Sequence, residues 1–243
     1  MKLLTAKMKM ADAIHANYLL IPVINRFGIS LGFGEKTIEN ICSEHDIDVD
    51  FFLAIINAFG NKNYFPESRL QTFSVIMIVK YLKKTHQYYR ETLIPSIENL
   101  LELLLEKSSR KNKSLAVVKK FFDEFKKEFF AHLKREESIT FPYVEEIYKM
   151  YQPVQKSIKK KKLISYSMKI YKAEHDEIDE KLYDLKNILI KYISGDFDNA
   201  ICSAIIFELF RLEKDMEDHS RIEDNILMPI VAEMEKSLKL IKA

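Results

Sequence analysis

From about residue 70 onward, apolar residues recur at steps of three and four along four long segments. The first stripe runs Val75, Val79, Leu82, His86, Tyr89, Leu93, Ile97, Leu100, Leu104. The second runs Val118, Phe122, Phe125, Phe129, His132, Glu136, Ile139. The third runs Ile164, Met168, Tyr171, His175, Ile178, Leu182, Leu185, Leu189, and the fourth Ile201, Ile205, Leu212, Met216, His219, Glu223, Ile226, Ile230. This spacing predicts helices that each bury one face. Breaks fall at 107–113, at 151–157 with Pro153, and at 194–198 with Gly195. Short connections favour antiparallel neighbours, so the pattern predicts an all-α fold with an antiparallel four-helix bundle.

The first sixty residues have a different texture. Four of the five glycines lie there, at 28, 32, 34 and 60. Residues 10–27 carry apolar positions at helical spacing and read as one stretch ending at Gly28. A glycine-rich turn follows. Glu35 to His45 reads as a short helix, and Asp48 as the cap of another over Val49 to Phe59. The cluster from Gly60 to Pro66 marks a boundary. The expected division is a small helical N-terminal domain over residues 1–62 and the bundle over 67–243. Two short helices joined by a turn resemble a helix-turn-helix in outline. However, residues 35–50 hold one lysine against six acidic residues, the wrong balance for neutralising phosphate.

Composition narrows the partners. The 243 residues are 47% apolar and carry a formal charge of +2, so nothing global calls for nucleic acid. Cys42 and Cys202 belong to no motif, which fits neither a disulfide framework nor a zinc site and agrees with a reduced, cytoplasmic setting. The first ten residues hold three lysines and only a short apolar pair, unlike a signal peptide. No long uncharged run is suited to a membrane.

The candidate chemistry sits inside the bundle. His132 to Pro142 and His219 to Pro229 read alike: His-x-x-x-Glu-acid, with proline ten residues after the histidine. Residues four apart share a helix face, so each stretch points an imidazole and a carboxylate the same way. Each of the four helices holds one histidine on its core stripe: His86, His132, His175 and His219. Counted from the bends, all four lie about 20–24 residues away, at one level to within a few ångströms. The halves also repeat: His86 to His175 is 89 residues and His132 to His219 is 87. A lone core histidine is usually structural. Four at one level with two buried carboxylates call for metal, because buried carboxylates are costly unless paired or metal-bound. The pseudo-repeat suits two ions, with two histidines for each and Glu136 and Glu223 bridging. Zinc competes, but closed zinc sites favour cysteine-containing four-ligand sets, so iron or manganese fits better. Glu128 and Glu174, beside the ligands in sequence, are candidate proton-handling groups. His15 and His45 fit no ligand pattern. Lys159 to Lys162 reads as a solvated charge run, and the aromatics Phe121, Phe122, Phe125 and Phe129 as core.

These residues resemble the di-iron proteins that repair iron–sulfur clusters after nitrosative and oxidative stress, the RIC group, which carry a haemerythrin-like bundle. His86, His132, Glu136, His175, His219 and Glu223 fall on that family's ligand pattern. Phe27-Gly28-Ile29 and Thr37 to Cys42 resemble its small N-terminal domain. The resemblance implies two iron ions in an oxo-bridged centre and a role in cluster repair. Its partners would be damaged Fe–S proteins, NO or O₂ species and an electron donor, and it allows a homodimer. The alternative is a haemerythrin-like O₂ or NO sensor or carrier without turnover. One departure stands out. Where the family has a Cys-Cys pair in the N-terminal turn, this chain has Gly32-Phe33.

Overall fold

The computed structural model describes residues 3–59, 61, 63–108, 112–151 and 168–240, of which 168–176, 239 and 240 are described by backbone alone. All regular structure among them is helical. The N-terminal helices are α1 (Met10–Ala16), α2 (Leu20–Arg26), α3 (Ile38–Glu44), α4 (Val49–Ala58) and α5 (Glu67–Leu70). The long helices are α6 (Val75–Tyr88), α7 (Ile94–Lys107), α8 (Lys113–Arg135), α9 (Phe141–Tyr151), α10 (Met168–Asn187), α11 (Asn199–Ile222) and α12 (Met228–Leu240). The stretch expected as one helix over 10–27 is two. The chain breaks at Asn17, whose side-chain oxygen accepts the N–H of Leu19 at 3.1 Å and competes with helical bonding. The Asp48 cap is present, with Oδ1 accepting the Phe51 N–H at 2.8 Å. Thr37 caps α3 in the same way.

Among the described residues, π-helical turns interrupt the long helices at Tyr89–Leu93, Glu136–Thr140 and Glu223–Leu227, and a fourth, Ile188–Tyr192, ends α10. Three of them share a cause. Proline has no N–H to donate, and its ring collides with the carbonyl four residues back. Pro95, Pro142 and Pro229 each follow a π turn that runs from six to two residues before them. The residue before proline then donates five residues back: Phe141 to the carbonyl of Glu136, and Met228 to that of Glu223. The carbonyl that Pro229 would meet is that of Asn225, and it accepts the side-chain amide of Gln71 at 3.1 Å.

Each wide turn takes in one residue more than an α-turn, and the core stripe slips accordingly. Ile139 is not core as its spacing predicts. It is 46% exposed, while Thr140 is buried. Leu101 and Val231 are buried in place of Leu100 and Ile230, which are only half-buried.

The chain forms two compact units, Met1–Tyr88 with Asp218–Ala243, and Tyr89–Glu217. In the first, Phe27 lies edge-on to Phe52 at 4.9 Å and tilted against Tyr81 of α6 at 5.4 Å. Phe51 stands edge-on to Phe73 at 5.2 Å. Arg26 is buried, its guanidinium 3.4 Å from the Tyr81 hydroxyl and over the Tyr88 ring at 4.7 Å. Cys42 is buried among these helices, and burial pushes its thiol up to about 11, with the Asp48 charge adding to the effect. In the second unit, α8 buries Leu115, Val118, Phe122, Phe125 and Phe129 along one face. Asn112 caps α8 and reaches the carbonyl of Asp196, holding the turn at Gly195 (φ +88°). Asp198 opens α11 by accepting the N–H groups of Ala200 and Ile201, bonds that hold its carboxyl below the usual range.

Candidate metal centre

His86 lies in the last turn of α6, fully buried among Val79, Leu82 and Thr85 of the same helix. His219 lies in the last turn of α11, and Glu223 opens the π turn that follows. The Nε2 atoms of His86 and His219 are 3.3 Å apart, and their rings are tilted with centroids 5.0 Å apart. Nε2 of His219 is 3.2 Å from Oε1 of Glu223, whose side chain is fully buried. Two imidazoles and one carboxylate thus bring ligand atoms within 4.8 Å of one another.

The donor set fits a metal. Ligand atoms about 2.1 Å from one ion, at tetrahedral or octahedral angles, stand roughly 3.0–3.4 Å apart, and the spacings of 3.2 and 3.3 Å fall in that range. Imidazole with carboxylate and no thiolate suits iron, manganese or zinc rather than a soft-metal site. In the other unit, His132 lies in the last turn of α8 and Glu136 opens the next π turn. His132 Nε2 is 3.1 Å from Glu136 Oε1, and both side chains are buried. The two His-x-x-x-Glu stretches therefore have the same local geometry: imidazole and carboxylate in contact across one turn, with the carboxylate at the start of a proline-locked wide turn.

Neighbouring side chains hold these pieces in place. Thr85, next to His86, donates its hydroxyl to the Tyr81 carbonyl at 3.2 Å and meets Arg26 at 3.5 Å. Arg221, two residues after His219, binds Asp218 at 3.0 Å and lies over the Phe65 ring at 4.4 Å. Arg90 binds Glu137, the neighbour of Glu136, at 2.8 Å. Tyr89 donates its hydroxyl to Asp215 at 2.7 Å, and both are buried.

The buried histidines and carboxylates on helices define a metal-binding helical protein. The model of the haemerythrin HHE cation-binding domain matches residues 77–231, and the chain belongs to that family. Its fold is thus an all-α, haemerythrin-like helical bundle. A search of curated proteins gives no match.

Of the residues the sequence singles out, His86, His219 and Glu223 come together, and His132 meets Glu136. The side chains of His175 and Glu174 lie outside the described residues. Glu128 stands half-exposed in an ion pair with Lys181, where its carboxylate meets bulk water. His15 and His45 are exposed. Sequence reasoning passed over Arg26 and Asp215, and placed Tyr89 on a core stripe without giving it a role. Asp215 was open to discovery, because Asp215, His219 and Glu223 follow one another at four-residue steps on one face. Among the described residues, no helix is long and apolar enough to cross a membrane.

Proposed function

We propose that His86, His132, Glu136, His175, His219 and Glu223 hold two iron ions, with Glu136 and Glu223 bridging them. The observation that carries this reading is the buried contact of His86, His219 and Glu223, with a second buried His-x-x-x-Glu contact at His132 and Glu136. When bound, such iron supplies open positions that take NO or an oxygen species, or iron that passes to a damaged cluster. The chain's own part is to exclude water, fix the imidazoles, and hold two carboxylates in place through the turns before Pro142 and Pro229. The function we propose is repair of iron–sulfur clusters damaged by nitrosative or oxidative stress, in the cytoplasm, with an electron donor as partner. Residues 1–62 would form a contact domain beside the bundle of residues 67–243. Glu128 and Glu174 are the proposed proton-handling groups.

A second reading, an O₂ or NO sensor or carrier, is favoured by one observation. Cys42 is buried and its thiol is pushed up to about 11, and Gly32-Phe33 stands where the repair family keeps two cysteines. The N-terminal helices therefore offer no reactive thiolate. The deciding experiment loads the purified protein with iron and mixes it with an NO-damaged Fe–S enzyme. Iron-dependent recovery of that enzyme supports repair. A reversible spectral change with NO and no recovery supports the carrier. Tightly held zinc and no iron would sink both.

A further inference from the structure

The three proline-locked turns can be aligned by their prolines. Six residues before Pro142 stands Glu136, and six before Pro229 stands Glu223. Six before Pro95 stands Tyr89. The residue four after His86 is Arg90, so a count from the histidine misses this equivalence. The turn after His86 thus carries a phenol at the place where the other two carry a proposed bridging carboxylate.

That phenol is set up for one kind of chemistry. Tyr89 is 0% exposed and Asp215 is 2% exposed. The hydroxyl donates to Asp215 Oδ1 at 2.7 Å, the length of a strong charge-assisted bond. The Tyr89 ring packs on Phe129 at 5.4 Å, and Phe129 stacks on Phe125 at 5.6 Å. Tyr89 follows His86 by three residues on its helix, Asp215 precedes His219 by four, and Phe129 precedes His132 by three. Each is one helical turn from a proposed ligand. A phenol loses an electron far more readily when a base is already in place to take its proton, and an apolar wall shields the resulting radical from water.

We propose that Tyr89 and Asp215 form a redox pair, a reserve of one electron and one proton one helical turn along the chain from proposed ligands. This rests on the metal reading given above. Under excess hydrogen peroxide, the O–H bond of Tyr89 breaks. Bound metal, once oxidised by the peroxide, would accept the electron, and the proton moves to Asp215 Oδ1, leaving a neutral phenoxyl and a protonated carboxyl. A small-molecule reductant such as ascorbate returns the electron, and Asp215 returns the proton. The pair thereby spares the imidazole ligands from oxidation.

The test uses the full chain loaded anaerobically with ferrous iron, its metal content measured, then mixed with a few equivalents of hydrogen peroxide and frozen for electron paramagnetic resonance. The parent is expected to give a phenoxyl signal. Tyr89→Phe, which removes only the hydroxyl, should take up the same iron and give at least tenfold less signal. Asp215→Asn should keep its iron and give a severalfold smaller signal. Parent protein that takes up iron yet gives no radical, or Tyr89→Phe that keeps it, overturns this inference and leaves the metal reading intact. An Asp215→Asn signal equal to the parent's removes the carboxylate from the proposal. Failure to take up iron at all overturns the metal reading and this inference together.

Discussion

The turn after His219 and the turn after His86 are made from the same parts in a different phase. After His219 the wide turn begins four residues on, at Glu223, and proline follows at ten. After His86 it begins three residues on, at Tyr89, and proline follows at nine. Measured from the histidine the two disagree by one residue. Measured from the proline they coincide. The backbone event is therefore set by the missing N–H and the ring of proline, and the histidine sits upstream of it at a distance that varies. The chemistry follows the phase: a carboxylate where the count is ten, a phenol where it is nine.

The sharpest way to break the comparison is to remove what the His219 turn has and the His86 turn lacks. Glu223→Ala deletes a fully buried carboxylate in contact with His219. If Glu223 bridges, the bound iron should fall from about two ions per chain to well under one, as metal analysis of the purified protein would show. Retention of a single ion at full affinity would mean two independent sites.

A second change moves one turn into the other's phase. Deleting Ile139, the exposed residue that the second turn takes in, puts Pro142 nine residues after His132, as Pro95 stands after His86. Residues beyond the proline keep their phase with it. The fold should survive with a loss within about 1–3 kcal/mol by urea denaturation. Iron uptake should fall at least tenfold, because Glu136 no longer opens the turn. A variant that fails to fold would show that the phase is not locked to proline.

Smaller effects are expected at Arg90, four residues after His86, where the other turns carry glutamate. Its ion pair with Glu137 is about one-third exposed. Arg90→Gln should cost under about 1 kcal/mol and leave the iron content unchanged. A large loss of iron would mean that Arg90 holds Glu136 in place through Glu137.

The smallest effect is expected outside both turns. Cys42→Ala should fold, bind metal and react with NO as the parent does. The thiol's value rises from 9.0 to about 11 on folding, so burial favours the protonated form. Its contribution to stability is fully present below about pH 9 and is lost as pH rises toward 11. The parent should lose more stability than Cys42→Ala over that interval in pH-dependent denaturation. Equal losses would remove Cys42 as the cause.

Much of the fold and part of the site could be read from the residues. Steps of three and four are the direct imprint of a buried helix face, so the long helices and the break before Gly195 followed from them. His-x-x-x-Glu is a local geometry, and it gave the contacts of His132 with Glu136 and of His219 with Glu223. Harder to read was the consequence of proline inside a helix. A breaker is ordinarily taken to end a helix, whereas here the chain widens one turn and continues, which put Ile139 on the wrong face. Tyr89 with Asp215, and Arg26 with Tyr81, join residues more than fifty positions apart. No local period announces such pairs. Asn17 shows the opposite limit: one short polar side chain divided a stretch that its apolar spacing joined.

One tie near the start of the chain sets an order of events. Asn57, buried at the end of α4, accepts the Leu4 N–H at 2.7 Å and donates to the Leu4 carbonyl at 3.0 Å. The two residues are 53 apart in sequence. Closing a flexible segment of that length costs about 3.5 kcal/mol in chain entropy beyond a constant term, and two hydrogen bonds return only about 1–3 kcal/mol. This latch forms late, once the short helices between its ends have docked, and on heating it is among the first to release. The Leu4 amide is accordingly a clock for the N-terminal helices: its hydrogen exchange should run ahead of the amides in α8, on a scale set by the opening of that region rather than by global unfolding.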